Sequence, residues 1–298
     1  MQDKIETPAQ EHSYEPAAGI RSTPFPYPGN KQRLAKWVLA NTKDHDRWVA
    51  PFGGAGGILF NKQPSRNEVL NDLNEDIITF YRVLRDRREE LKEYLGLIPY
   101  HERQYREWKA EWDRQWRPDD EIKHAGILYF LQRASFGGDQ TGFRAVASGR
   151  KNSSKQFFNS LDRLDSFSDR LDGVILHNCD YADIIEKYAD DSETLLYLDP
   201  PYKTGTQRYD TDEFIPLRFA EWMGRLSGDY DASWMLSSAS VPLTVGCYPT
   251  IKTDLAHQIN HIDGSSTQMT EKLTLDYHPD EVAIFTGEAR NMTLKAFE

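Results

Sequence analysis

The chain has 298 residues, 39% of them hydrophobic and 12% aromatic, enough for one large α/β domain with a packed core. No stretch approaches the ~20 continuous apolar residues of a membrane span, and a formal net charge of -11 excludes a uniformly basic nucleic-acid wrapper while leaving local basic patches open. Two cysteines, Cys179 and Cys247, exclude a disulfide framework and a four-cysteine zinc site, and none of the eight histidines is assigned to a site, so no metal is expected.

In chain order, residues 1–20 form a polar tail with no apolar run of a signal peptide, and disorder is expected there. Residues 34–41 predict a short helix. Residues 47–50 predict a strand that runs into the glycine cluster Pro51-Phe52-Gly53-Gly54-Ala55-Gly56-Gly57. The apolar run 67–71 predicts a second strand, followed by Asp72. Ile77, Ile78, Tyr81, Leu84, Leu91 and Leu95 recur at helical spacing over 74–95. From 99 to 136 charged residues and tryptophans dominate. Trp108, Trp112 and Trp116 make a helical stripe that suits helix packing or, alternatively, base stacking. Residues 137–156 are rich in Gly, Ser and basic side chains and predict a loop or hairpin. Strands are then predicted at 174–176, 194–198, 232–237 and 281–286, with a helix at 214–227.

This alternation predicts a mostly parallel, doubly wound α/β sheet. The simplest organisation is a discontinuous domain of residues 21–90 and 171–298, interrupted by a mainly helical insert at 91–170. A reducing cytoplasm is the expected compartment, and a monomer the default state.

Two motifs carry chemistry. Glycines between a strand and a helix let the backbone turn tightly and approach a ligand. Asp72, after the next strand, stands where nucleotide-binding α/β proteins place a carboxylate for ribose hydroxyls. The pyrophosphate pattern Gly-x-Gly-x-x-Gly is not met cleanly, which suits a nucleoside cofactor without a pyrophosphate. The second motif is Asp199-Pro200-Pro201-Tyr202 at the end of an apolar strand. Two prolines make a rigid turn without backbone N–H donors. A carboxylate and a prolyl carbonyl there suit the two hydrogens of an exocyclic amino group, and Tyr202 offers a face on which a base can stack. A surface turn with two prolines is the plain alternative.

In this order, Pro26-Tyr27-Pro28-Gly29-Asn30-Lys31, Ala50 to Gly57, Asn71-Asp72-Leu73-Asn74 and Asp199 to Tyr202 resemble the Dam-like adenine-N6 DNA methyltransferases. The resemblance implies a Rossmann-like methyltransferase sheet, S-adenosylmethionine as cofactor and double-stranded DNA as partner. It implies a bacterial or phage-encoded enzyme and makes the insert a target-recognition domain. By the same resemblance, Tyr27 and Lys31 lie against the cofactor, and Pro51, Phe52, Gly54 and Gly56 form the turn around its methionine and ribose. Asp72 holds the ribose, and Asp180 and Tyr181 contact the adenine, although Asp180 reads equally well as a solvated acid. Asp199, Pro200, Pro201 and Tyr202 perform the chemistry, with Asp199 also bordering the cofactor.

Ala50 stands where this family often has Glu, and Tyr27 where it often has Trp. The stretch 132–138 does not match the segment associated with recognition of the sequence GATC. Direct transfer needs no covalent intermediate, so neither cysteine is needed as a nucleophile. Arg133, Arg144, Arg150, Lys151 and Lys155 are the candidates for DNA contact, against a plain solvated loop. Rival readings are cytosine-N4, RNA or protein-glutamine methylation, and a non-catalytic binding protein of the same fold.

Overall fold

In the computed structural model, the described residues are 22–145, 152–201, 214–238, 243–257 and 267–278. The tail, Arg150, Lys151, Tyr202 and the strand expected at 281–286 lie outside them.

Five strands form the parallel part of one sheet: β1 (Arg47–Ala50), β2 (Asn67–Asn71), β3 (Val174–His177), β4 (Thr194–Leu198) and β5 (Ser233–Ser238). Two further strands, β6 (Thr250–His257) and β7 (Thr267–Leu275), pair antiparallel with each other, and β7 pairs antiparallel with β5. The sheet order is β3-β2-β1-β4-β5-β7-β6. Its first five positions follow the order of a doubly wound nucleotide-binding sheet, so the architecture is the Rossmann-like α/β fold expected.

Successive side chains of a strand point to opposite faces. Trp48, Leu195 and Tyr197 therefore join one buried cluster, and Val49, Leu196 and Leu198 another. The second cluster is closed by α8 (Tyr181–Tyr188) and α9 (Pro216–Asp229).

The first cluster is larger. It takes in α1 (Ala35–Ala40), α2 (Glu75–Asp86), α3 (Arg88–Leu97), α4 (Glu102–Asp113), α5 (Glu121–Arg133), α6 (Ser153–Leu161) and α7 (Leu164–Leu171). Phe80 of α2 stacks on Tyr129 of α5, with ring centroids 5.8 Å apart. The inserted helices thus share a continuous core with the sheet.

Three local features differ from expectation. The helix predicted over 74–95 is broken at Arg87, whose φ of -137° ends α2 before α3 begins. Trp108 and Trp112 lie on α4, but Trp116 falls beyond its end, in a turn where Gln115 has φ 63°. The predicted loop at 137–156 ends early: Asn152 caps α6, its side chain accepting from the Lys155 amide. Among the described residues no helix is long and apolar enough to cross a membrane, and no group of His, Cys, Asp or Glu is placed to hold a metal ion.

Candidate active site

The sheet order reverses at β1, with β2 on one side and β4 on the other. Crevices outside the carboxyl ends of strands at such a point are where open α/β sheets bind ligands. A cavity of about 510 Å³ lies there. It is lined by Tyr27, Lys31, Pro51, Phe52, Gly54, Gly56, Asp72, Asp180, Tyr181, Asp199, Pro200 and Pro201. Every described residue proposed from the sequence for cofactor or chemistry therefore meets in one place.

The glycine turn is held from both sides. Gly54 and Gly56 have φ of 49° and 70°, in the left-handed region that L side chains rarely adopt. A Cβ on Gly56 would stand 2.6 Å from the Phe60 ring. The Gly54 amide donates to Asp72 Oδ2 at 2.7 Å, and the Asn74 amide donates to Asp72 Oδ1 at 2.9 Å. Burial pushes the Asp72 carboxyl above the ordinary aspartate value, and these two amides partly offset it. The Tyr81 hydroxyl donates to the Gly54 carbonyl at 2.9 Å.

Asn71 ties three segments together. Its Nδ2 donates to the carbonyls of Pro51 (2.8 Å) and Cys179 (2.9 Å), and its Oδ1 accepts from the Cys179 amide (3.0 Å). One amide thereby fixes the loops after β1 and β3 to the end of β2.

An aromatic wall closes another side. Phe52 stacks on Tyr181 with centroids 5.1 Å apart, and Phe214 and Phe219 meet Phe52 edge-on. Asp180 caps α8 by accepting from the Ala182 amide, and it takes a bidentate contact from Arg218 at 2.8 and 3.0 Å. Its carboxylate thus has a structural role at the cavity edge.

Asp199 sits at the end of β4 beside the buried Pro200. Lys31, from the segment before α1, reaches Asp199 Oδ1 at 2.9 Å and Glu271 Oε1 of β7 at 3.7 Å. The Ser237 hydroxyl of β5 donates to the same Glu271 oxygen at 2.8 Å. Asn30 orients this segment: its Oδ1 accepts from the Gln32 amide, and its Nδ2 donates to the Thr23 hydroxyl. A Cβ on Gly57 would run into Asn30 Oδ1, so the Pro-Gly-Asn-Lys segment packs directly on the glycine turn.

Among the lining residues that sequence reasoning missed are Gln115 and Arg117, which come from the turn between α4 and α5. Arg117 forks onto Asp76 through Nε (2.7 Å) and NH2 (2.8 Å), and its guanidinium lies 3.7 Å from the Trp112 ring centroid. His124 Nε2 meets Asp76 Oδ1 at 2.6 Å. Burial opposes ionisation of Asp76, but the His124 and Arg117 hydrogen bonds outweigh it and hold the carboxyl below its ordinary value. The only sequence signal was the tryptophan stripe, which points to packing but not to what the following turn touches.

The basic candidates lie elsewhere. Arg133 and Arg144 line a second, smaller cavity. Lys155 is exposed in the first turn of α6 and lines neither cavity.

Comparison with known proteins agrees with this geometry. A family model described as D12 class N6 adenine-specific DNA methyltransferase matches residues 27–260. The chain belongs to that family. Among its relatives is the Type II methyltransferase M.MjaIII of Methanocaldococcus jannaschii, 25% identical over 65% of this chain and 73% of the relative. The DNA adenine methylase of Escherichia coli K12 is 27% identical over 58% of this chain and 62% of its own length. The DNA N-6-adenine-methyltransferase of Escherichia phage P1 is 25% identical over 65% of this chain but only 26% of its own length. Membership makes the chain a methyltransferase of the adenine-N6 class. The four sequence motifs had pointed to that family.

Proposed function

We propose that the chain transfers a methyl group from S-adenosylmethionine to the N6 amino group of an adenine extruded from duplex DNA. The observation that carries this reading is the Lys31–Asp199 ion pair beside Pro200, in the same cavity as the glycine turn and Asp72.

The cavity suits the cofactor. Gly54 and Gly56 leave a cradle that side chains would strain or fill, Asp72 supplies a carboxylate to accept from a ribose diol, and Phe52 and Tyr181 supply a flat apolar wall. Tyr27 and Lys31 would border its methionine end. When bound, S-adenosylmethionine supplies a sulfonium-activated, electrophilic methyl group.

The chain's own residues then act on the target. The Asp199 carboxylate and the Pro200 carbonyl accept from the two amino hydrogens, which draws the nitrogen lone pair out of the ring and fixes its direction. A carboxylate accepts from several donors at once, so Lys31 and the amino group can share Asp199. Lys31 also favours the ionised carboxylate. Tyr202 would stack on the extruded base, and Pro201 keeps the turn rigid. The nitrogen gains the methyl and releases one proton to Asp199 or water. Orientation and preorganised electrostatics supply the rate.

The relatives' names support DNA as substrate, and the Type II names among them fit a role paired with restriction. The chain would work as a monomer in the cytoplasm of a bacterium or a phage-infected host. Residues 91–170 would recognise the target, with Arg133, Arg144, Arg150, Lys151 and Lys155 gripping phosphates.

The test is transfer of a labelled methyl group to unmodified duplex DNA, followed by nucleoside analysis, beside Asp199→Ala. Label in N6-methyladenine that disappears in the variant is expected. Label in N4-methylcytosine, or in RNA alone, would overturn the adenine assignment.

A further inference from the structure

A second cavity, of about 270 Å³, opens between the end of α5 and the α6–α7 turn. Three arginines line it: Arg133 at the end of α5, Arg144 beyond the Ser135–Phe143 bridge, and Arg163 between α6 and α7. Gln156, Asn159 and Ser160 complete its polar wall, and among the described residues no acid lines it.

Among the described residues, none of the three arginines has an ion-pair partner. The guanidinium of Arg133 lies 5.6 Å from the Tyr129 ring centroid, and that of Arg163 lies 5.7 Å from the Phe167 centroid. Arg144 NH2 donates to the Arg133 carbonyl at 3.2 Å, and Arg163 NH2 meets the Ser22 hydroxyl. Nε and Nη2 of Arg133 and Nε of Arg144 are sealed from solvent with no acceptor among the described residues. Burial pushes the Arg163 guanidinium down, and the Arg133 charge adds to that effect.

Buried donors without acceptors are costly and rare in a folded chain. Here they belong to two of three converging cations, so an anion that accepts from the guanidinium nitrogens facing the cavity offsets the mutual repulsion of the set. Guanidinium forks match the oxygens of a phosphate, and amide and hydroxyl side chains beside them add donors. The turn, the helix end and the bridge that carry the arginines are all packed, which suits a fixed position better than a loose electrostatic grip.

We propose that Arg133, Arg144 and Arg163 form a built pocket for one backbone phosphate of the DNA substrate, setting the register of the duplex on the inserted helices. Arg163 is the new member of this set, and the inference rests on DNA being the substrate.

The test uses the full chain and a fluorescent duplex in an anisotropy titration over a series of salt concentrations. Arg163→Gln is the primary variant because the side chain is exposed at the pocket mouth, and Arg133→Gln is the second. Each is expected to weaken binding about five- to tenfold, equally for unrelated sequences, and to lower the salt slope by about one. Cofactor affinity, measured in parallel, stays at the wild-type value. At matched ionic strength, inorganic phosphate should displace DNA from the wild type more effectively than chloride does, and Arg163→Gln should abolish the difference. Wild-type binding with unchanged affinity and slope in both variants overturns the pocket alone. A wild-type chain that binds cofactor but no duplex overturns the substrate reading and the pocket together.

Discussion

Lys31 Nζ stands 2.9 Å from Asp199 Oδ1, with Lys31 7% and Asp199 17% exposed. The contact joins the segment before the first helix to the turn after β4, and Glu271 of β7 flanks it. Removing the ammonium leaves two carboxylates on one site without the cation that contacts both. Lys31→Met is therefore expected to lower kcat at least tenfold and to cost about 3 kcal/mol of stability. Adding Glu271→Gln should restore much of the stability and little of the rate. Urea unfolding beside single-turnover methyl transfer separates the two effects, and a Lys31→Met chain with wild-type kcat would remove Lys31 from the mechanism.

Asp72 carries a pH dependence of known sign. Its carboxyl titrates above the ordinary aspartate value, because burial disfavours the charge. Accepting from ribose hydroxyls is strongest in the ionised form, so cofactor affinity should fall on acidification at a pH above the ordinary aspartate range. The folded chain holds this proton where the unfolded chain releases it. The stability contribution is thus present below the ordinary value and is lost as pH rises through the raised one. Calorimetric titration of cofactor from pH 4 to 8 checks the binding limb. Asp72→Ala should bind at least tenfold more weakly and show no such limb.

Gly56 tests the cradle. A methyl group there meets both a positive φ and the Phe60 ring. Gly56→Ala should lose about 2 kcal/mol or more in urea unfolding and bind cofactor poorly. Wild-type stability in this variant would mean that the turn adapts freely.

The turn after α4 offers a paired experiment. Gln115 holds φ 63° without being glycine and lines the larger cavity, beside Asp72 and the glycine turn. Gln115→Gly is expected to gain about 1 kcal/mol of stability from relieved backbone strain, whereas Gln115→Ala should leave the strain and weaken cofactor binding a few-fold. Equal cofactor affinity in wild type and both variants would place the side chain outside the bound complex.

Asp76 supplies the opposite pH sign. Held below its ordinary value, it contributes stability above that value, and the contribution is lost as pH falls through the depressed one. Asp76→Asn should cost about 2 kcal/mol at neutral pH, with the difference from wild type shrinking below about pH 4. A difference that is flat with pH would mean that packing rather than charge is lost.

The central strands were legible because parallel strands buried on both faces read as apolar runs, as in Thr194–Leu198. β6 and β7 were not legible. Their sequences, TIKTDLAH and TQMTEKLTL, mix charged and apolar residues, and the buried Glu271 is met by Ser237 and Lys31 from distant parts of the chain. The glycine turn and the Asp-Pro-Pro turn were legible because each is contiguous in the chain. Gln115, Arg117 and Arg163 reach their sites only through helix packing, which local pattern does not encode. Asn71 lay inside a recognised motif, but its two partner residues, Pro51 and Cys179, come from loops far apart in sequence.

The placement of Lys31 has a consequence for synthesis. Its two carboxylate partners lie on β4's end and on β7, the farther about 240 residues downstream. At about 5–20 residues per second, a ribosome takes on the order of ten seconds to nearly a minute to make that stretch. Until then the nascent chain carries this ammonium with no Glu271 to meet it. The site therefore stays unfinished until Glu271 has been made, and products terminated before that residue would never complete it.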